Sequence, residues 1–212
     1  MLVIFDCDGV LVDSEELAAQ IFSETLQEVG LNLTAEECFT LFKGHTLPAC
    51  LNKITQELKF DLPDDFKDLL DLRTREGFSK NLQAVKGVQS LLQFLQQHNV
   101  NFCVASNGGK QKIDHSLAIT GLDAYFSQRF SAEDVGQGKP SPELFLYAAE
   151  VVGVPPEFCF VIEDSPTGFA AAQAAGMKLL RYLPLETFSE QDRVFTRMQQ
   201  IQEFFEREIK SV

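Results

Sequence analysis

The spacing of apolar positions divides the chain into two regimes. Leu2–Phe5 is a short, continuous apolar run that stops at Asp6, as expected of a strand buried on both faces of a parallel sheet. A helical period then takes over. Asp13 or Ser14 can cap a helix carrying Leu17, Ile21, Phe22, Leu26 and Val29, with Gly30 where a C-terminal cap belongs. Thr34 and Glu37 form a capping-box pattern for a second helix. Pro48 fits the first turn of a third, with Leu51, Ile54 and Leu58 on one face, and Pro63 and Asp64 open a fourth carrying Phe66, Leu69 and Leu70. From about residue 15 to about residue 80 the pattern predicts helices and no strand.

Beyond that stretch the two periods alternate. Val88, Leu91, Leu92 and Leu95 predict a helix, and Asn101–Ala105 a strand that ends in Ser106, Asn107, Gly108 and Gly109. Ile113, Leu117 and Ile119 suit a helix that stops at Gly121, and Pro142 starts another through Leu144, Phe145, Ala148 and Val152. Phe158–Ile162 predicts a buried strand ending in Glu163, Asp164 and Ser165, followed by a small-residue helix closing at Gly176 and a strand over Lys178–Tyr182. Val194, Met198, Ile201, Phe205 and Ile209 predict a final helix packed on the core. This alternation predicts an α/β fold, a Rossmann-like parallel sheet covered on both faces. The core domain is expected at 1–13 and 84–212, with an all-helical cap domain, 14–83, inserted after the first strand. There is no internal repeat and no low-complexity stretch.

Composition narrows the function classes. Acidic residues outnumber basic ones 31 to 18, a net charge of -13, which argues against a nucleic-acid partner because phosphate backbones call for Lys/Arg patches. The 5 cysteines, Cys7, Cys38, Cys50, Cys103 and Cys159, are odd in number and lack CxxC spacing. That pattern predicts reduced thiols in a cytoplasmic protein, not a disulfide framework or a zinc site. The apolar run before Asp6 is too short for a signal peptide or a membrane span, so no membrane partner is expected.

In open parallel sheets, ligands bind at the C-terminal ends of the strands. Those ends offer Asp6 and Asp8, Ser106 and Asn107, and Glu163 and Asp164, while Lys139 lies in a loop just before a helix. Four clustered carboxylates repel one another and raise each other's pKa values unless a cation intervenes. Mg²⁺ takes oxygen ligands, including carboxylates and substrate phosphates. Together with a lysine and a serine hydroxyl, such a site suits phosphoryl transfer.

The same residues carry a family resemblance. DxDG with DS at Asp6–Ser14, SNG at Ser106–Gly108, GKPSPE at Gly138–Glu143 and EDSPTG at Glu163–Gly168 resemble, in order and spacing, the four motifs of the haloacid dehalogenase-like hydrolases. The resemblance covers the whole chain and points to the helical-cap branch, with its β-phosphoglucomutase and phosphogluconate-phosphatase types. It implies that Asp6 is the nucleophile that forms an aspartyl-phosphate. It implies that Asp8 protonates the leaving alcohol and then deprotonates water. It implies Mg²⁺ held by Asp6, the backbone carbonyl of Asp8 and Asp164, with Glu163 nearby, and phosphate held by Ser106, Asn107 and Lys139, Lys139 also damping repulsion around Asp6. In relatives with this cap, the loop holding Lys43, Gly44 and His45 closes over the substrate and reads it; an ordinary helix end with a charged residue is the alternative.

Other readings of these motifs are weaker. Asp6 and Asp8 begin like an EF-hand loop, but Val10, Leu11 and Leu17 occupy positions that the ion needs. The residues before Lys139 lack both the Walker and the GxGxxG spacing. Cys7 reads as a small core side chain, and His45, His98 and His115 have no ligand spacing. Receiver domains of signalling proteins share the acidic site but lack a cap and a DxD on one strand. The branch also matters: Asp8 favours phosphate esters over the family's dehalogenases, and Ala18 and Leu47 stand where the mutases carry a His and an Arg. The expected activity is a monomeric, Mg²⁺-dependent phosphatase acting on a small phosphate ester, a sugar or sugar-acid phosphate. A phosphomutase or a phosphoglycolate phosphatase is the alternative.

Overall fold

The computed structural model describes residues 1–42 and 47–210, which divide into two compact units, 1–12 with 84–212 and 13–83. The first unit is built on a sheet of six parallel strands: β1 (Leu2–Phe5), β2 (Asn101–Ser106), β3 (Arg129–Ser131), β4 (Cys159–Glu163), β5 (Lys178–Tyr182) and β6 (Val194–Phe195). Their order is β3-β2-β1-β4-β5-β6, so the chain winds outward in both directions from β1. β1 is flanked in register by β2 and β4, with Phe5 opposite both Val104 and Ile162.

Because the sheet is covered on both faces, alternate residues of the same strand feed two cores. Leu2, Ile4, Cys103, Ala105, Cys159 and Val161 form one with α8 (Glu143–Val152) and α9 (Pro166–Ala174). Helices α5 (Val88–Gln97) and α10 (Met198–Lys210) pack on each other, and α10 sends Phe204 and Phe205 against Phe160, which faces away from Val161. The remaining helices of this unit are α6 (Lys110–Ile119) and the single turn α7 (Ala132–Val135).

The second unit holds four helices among the described residues: α1 (Glu15–Glu28), α2 (Ala35–Phe42), α3 (Leu47–Gln56) and α4 (Phe66–Asn81). The predicted capping box is present: Glu37 accepts the Thr34 N–H at 2.7 Å and the Thr34 hydroxyl oxygen accepts the Glu37 N–H at 3.2 Å. Phe22 of α1 meets Phe42 of α2 at 5.1 Å and Phe66 of α4 at 6.1 Å, centroid to centroid. Helices α1 and α4 come close because residue 77 is glycine; a methyl there would sit 2.5 Å from Ile21 Cδ1.

Two short strands and two helix starts differ from the pattern. Strands β3 and β6 carry too few residues to show a period. Val194, which apolar spacing assigns to the last helix, instead lies in β6, and α10 begins at Met198. The reason is backbone satisfaction at the sheet edge: Arg181 and Leu183 donate their N–H groups to the carbonyls of Arg193 and Phe195, both at 2.8 Å. Phe195 is then fully buried against Phe188 and Phe204. Finally, α4 starts at Phe66, since the Pro63 carbonyl closes a turn onto the Phe66 N–H before the helix begins.

Candidate active site

β1, β2 and β4 end side by side, and the chain leaves β1 in one direction to β2 and in the other to β4, the switch point at which open parallel sheets bind ligands. Asp6 follows β1 directly and donates its N–H to the Ile162 carbonyl at 3.0 Å, one last rung of the ladder. The chain then turns within six residues. Leu11 and Val12 both donate to the Cys7 carbonyl, and Gly9 donates to the Val12 carbonyl, so the backbone of Asp8 is held in a closed loop. Gly9 has φ +78°, and a Cβ on it would overlap the Asp164 carboxylate, so this glycine serves both the turn and the carboxylate behind it.

Lys139 is buried at the centre of the site. Its Nζ donates to Asp6 Oδ1 at 2.5 Å and to Glu163 Oε1 at 3.1 Å, and it stands 4.9 Å from the centre of the Phe145 ring. Burial pulls its pKa down, but the carboxylates of Asp6 and Glu163 more than offset this and leave it raised. Burial also pushes the Asp6 carboxyl up, from 3.8 to about 7; Lys139 opposes the rise, and Glu163 and Asp8 add to it. Cys7, between the two aspartates, is buried with its thiol pushed well up by burial and by the same two charges, so it stays protonated.

Asn107 acts on the Lys139 backbone. Its Oδ1 accepts the Lys139 N–H at 2.8 Å and its Nδ2 donates to the Lys139 carbonyl at 3.1 Å. Ser106, at the end of β2, is buried and its Oγ accepts the Gly108 N–H at 3.1 Å. Glu163 Oε2 accepts the Ser165 N–H at 2.7 Å and also the Ser165 hydroxyl, while Ser165 caps α9 through the Gly168 N–H. Gly168 leaves room for this, since a Cβ there would overlap the Glu163 carboxylate.

The donor set suits a hard divalent cation. Asp6, Glu163 and Asp164 each offer an oxygen, and these lie within 4.8 Å of one another. Glu163 accepts from Lys139 and Ser165, and Asp6 also accepts from Lys139.

Lys112 is the site residue that sequence patterning does not reveal. It reaches Asp8 Oδ2 at 2.7 Å from the first turn of α6. One signal does exist. That turn holds Lys110 and Lys112 and no acid, the reverse of what a helix N-terminus favours. Lys43, Gly44 and His45 lie outside the described residues. All five cysteines are free and buried, and among the described residues no helix is long and apolar enough to cross a membrane.

A family model described as haloacid dehalogenase-like hydrolase matches residues 3–182. Among curated proteins, the chain is 32% identical over 182 residues to a 6-phosphogluconate phosphatase of Escherichia coli (strain K12), covering 85% of this chain and 81% of that one. It is 30% identical over 180 residues to a phosphorylated carbohydrates phosphatase of Thermotoga maritima, covering 83% and 82% of the two. Among solved structures, a HAD family hydrolase from Deinococcus radiodurans R1 with bound phosphate and sodium superposes with a TM-score of 0.77 at 33% identity, covering 94% of this chain and 92% of that one.

Proposed function

The chain belongs to the haloacid dehalogenase-like hydrolases and is a phosphoric monoester hydrolase, and from that premise we propose that it is a Mg²⁺-dependent phosphatase of a sugar or sugar-acid phosphate. One observation carries the reading above the others: buried Lys139 bridges Asp6 and Glu163 where three strand ends meet. A lysine so placed holds the Asp6 carboxylate still and supplies positive charge where a phosphoryl group needs it.

An oxygen of Asp6 attacks phosphorus, and the ester oxygen leaves with a proton from Asp8. Asp8 then takes a proton from water, the water attacks the phosphorus of the aspartyl-phosphate, and inorganic phosphate departs with Asp6 restored. Ser106, the backbone beside Asn107 and Lys139 hold the phosphoryl oxygens; the Asn107 amide contributes through Lys139. Asp6, Asp164 and the Asp8 carbonyl would hold Mg²⁺, with Glu163 nearby. The ion, when bound, neutralises charge on the phosphoryl oxygens. Substrate choice falls to the inserted helical unit, with Lys43, Gly44 and His45 as its candidates. The free cysteines suit a reducing compartment, and we place the protein in the cytoplasm as a monomer.

The test is phosphate release from a panel of 6-phosphogluconate, sugar 6-phosphates and phosphoglycolate, with and without Mg²⁺, by the native protein and by Asp6→Asn. Mg²⁺-dependent release that falls by about 1,000-fold or more in the variant is the expected result. Release that survives Asp6→Asn, or no release from any ester, overturns the reading.

A further inference from the structure

The two lysines that break the charge rule at the start of α6 are both compensated from distant parts of the chain. Lys110 pairs with Asp134, and Lys112 pairs with Asp8, 104 residues away. A local rule broken in sequence and compensated in space is a mark of function. For Lys110 the partner is the residue that completes the capping box of α7, which is a structural use. For Lys112 the partner is the second aspartate of the site.

Both ends of the Lys112–Asp8 contact are anchored. The loop that carries Asp8 is closed on the Cys7 carbonyl, as described. Helix α6 is tied down at its start, where Glu133 accepts the Lys110 N–H at 3.2 Å and the Ser131 hydroxyl donates to the Gly108 carbonyl at 2.7 Å. Lys112 reaches across the bare face of Gly108. A Cβ built there would lie 3.4 Å from Ser106 Oγ, 3.5 Å from Lys112 Cδ and 3.9 Å from Asp8 Oδ2, so these three groups surround one small open space. Asp8 and Lys112 keep 30% and 40% of their side-chain surface exposed, so the contact sits at the mouth of the site and is not sealed in the core.

We propose that Lys112 is a positioning residue for Asp8. By holding Oδ2, it turns Oδ1 toward the reacting oxygen, the orientation in which Asp8 hands over a proton as the ester bond breaks. The proposal rests on the roles given above to Asp6 and Asp8. It makes a demand that a merely structural role, or a charge acting on the phosphoryl group, does not. Proton donation matters for an alkoxide leaving group, which is strongly basic, and hardly at all for 4-nitrophenolate. The loss on removing Lys112 must therefore depend on the leaving group.

The experiment measures kcat/KM, which reports the bond-breaking step, for 4-nitrophenyl phosphate and for the panel alkyl ester that the native protein turns over fastest. Lys112→Met keeps the stem and removes the charge. It is expected to lower kcat/KM by about 10- to 100-fold on the alkyl ester and by less than about threefold on the nitrophenyl ester. Lys112→Arg is expected to return most of the loss, because it restores a donor to Oδ2. Lys112→Leu serves the same comparison should the Met variant not fold. An equal fall on both esters, or no fall on the alkyl ester, overturns the proposal. Asp6→Asn is run alongside: if it leaves either ester turning over, the reading of Asp6 and Asp8 fails and this inference fails with it. If Asp6→Asn abolishes both while Lys112→Met lowers both equally, this inference alone fails.

Discussion

Asn107 grips the main chain of Lys139 at both its N–H and its carbonyl, so a residue at the end of β2 sets where the site's buried ammonium can stand. The side chain of Lys139 is long and flexible; what confines it is a fixed root and two carboxylates at the tip. Asn107→Ala removes the grip and leaves the Lys139 amide without this acceptor. We expect a loss of about 10- to 100-fold in kcat/KM and about 1–2 kcal/mol in stability. Steady-state kinetics and urea unfolding check this, and a variant with native kinetics would show that the Lys139 root needs no such hold.

Lys139→Met leaves Asp6 and Glu163 buried with no cation in the metal-free protein. Breaking a buried pair on one side typically costs about 3–5 kcal/mol. The Asp6 carboxyl, already raised by burial, can escape by protonating, so the deficit against the native protein grows as pH rises from about 5 to about 8. Unfolding in chelator at both pH values measures it. A deficit independent of pH would mean that the lysine contributes packing alone.

The Asp6 carboxyl itself has a pKa raised from 3.8 to about 7, chiefly by burial. A group whose folded pKa lies above its unfolded value contributes stability that is complete below pH 3.8 and is lost as pH rises through about 7. Asn cannot titrate. Metal-free Asp6→Asn should therefore match the native protein near pH 4 and exceed it near pH 8 by about 1–3 kcal/mol. Saturating Mg²⁺ should narrow the gap, because it binds the native fold preferentially. A variant no more stable than native at pH 8 would remove the basis of this account.

Gly9→Ala places a methyl group on the Asp164 carboxylate and strains a backbone at φ +78°. We expect a loss of about 1–2 kcal/mol in stability and at least about a tenfold rise in the Mg²⁺ concentration needed for half-maximal activity. The matching control is Gly30→Ala, where φ is +98° but no atom lies within 4 Å of the added Cβ. That variant should show strain without any change in Mg²⁺ dependence. Equal Mg²⁺ requirements in both variants would detach Asp164 from the ion.

Much of the protein follows from its sequence by physical chemistry that acts locally. Leu2–Phe5 and Cys159–Ile162 are buried on both faces and so show as unbroken apolar runs, and helices such as α1 and α3 show their period because one face is apolar. The positions of Asp6, Ser106 and Glu163 follow, since each stands where a parallel strand ends and ligands collect. Tertiary structure decided the rest. Strands of two or three residues such as Val194–Phe195 have no period to read and exist because a neighbouring strand supplies their hydrogen bonds. Whether the Asn107 amide faces the open site or the Lys139 backbone depends on a loop 32 residues further along the chain. The Lys112–Asp8 pair joins residues that only the winding of the sheet brings together. Apolar period and capping act within a few residues, whereas Coulomb attraction and hydrogen-bond geometry depend on distance in space, and that distance is set only when the chain has folded.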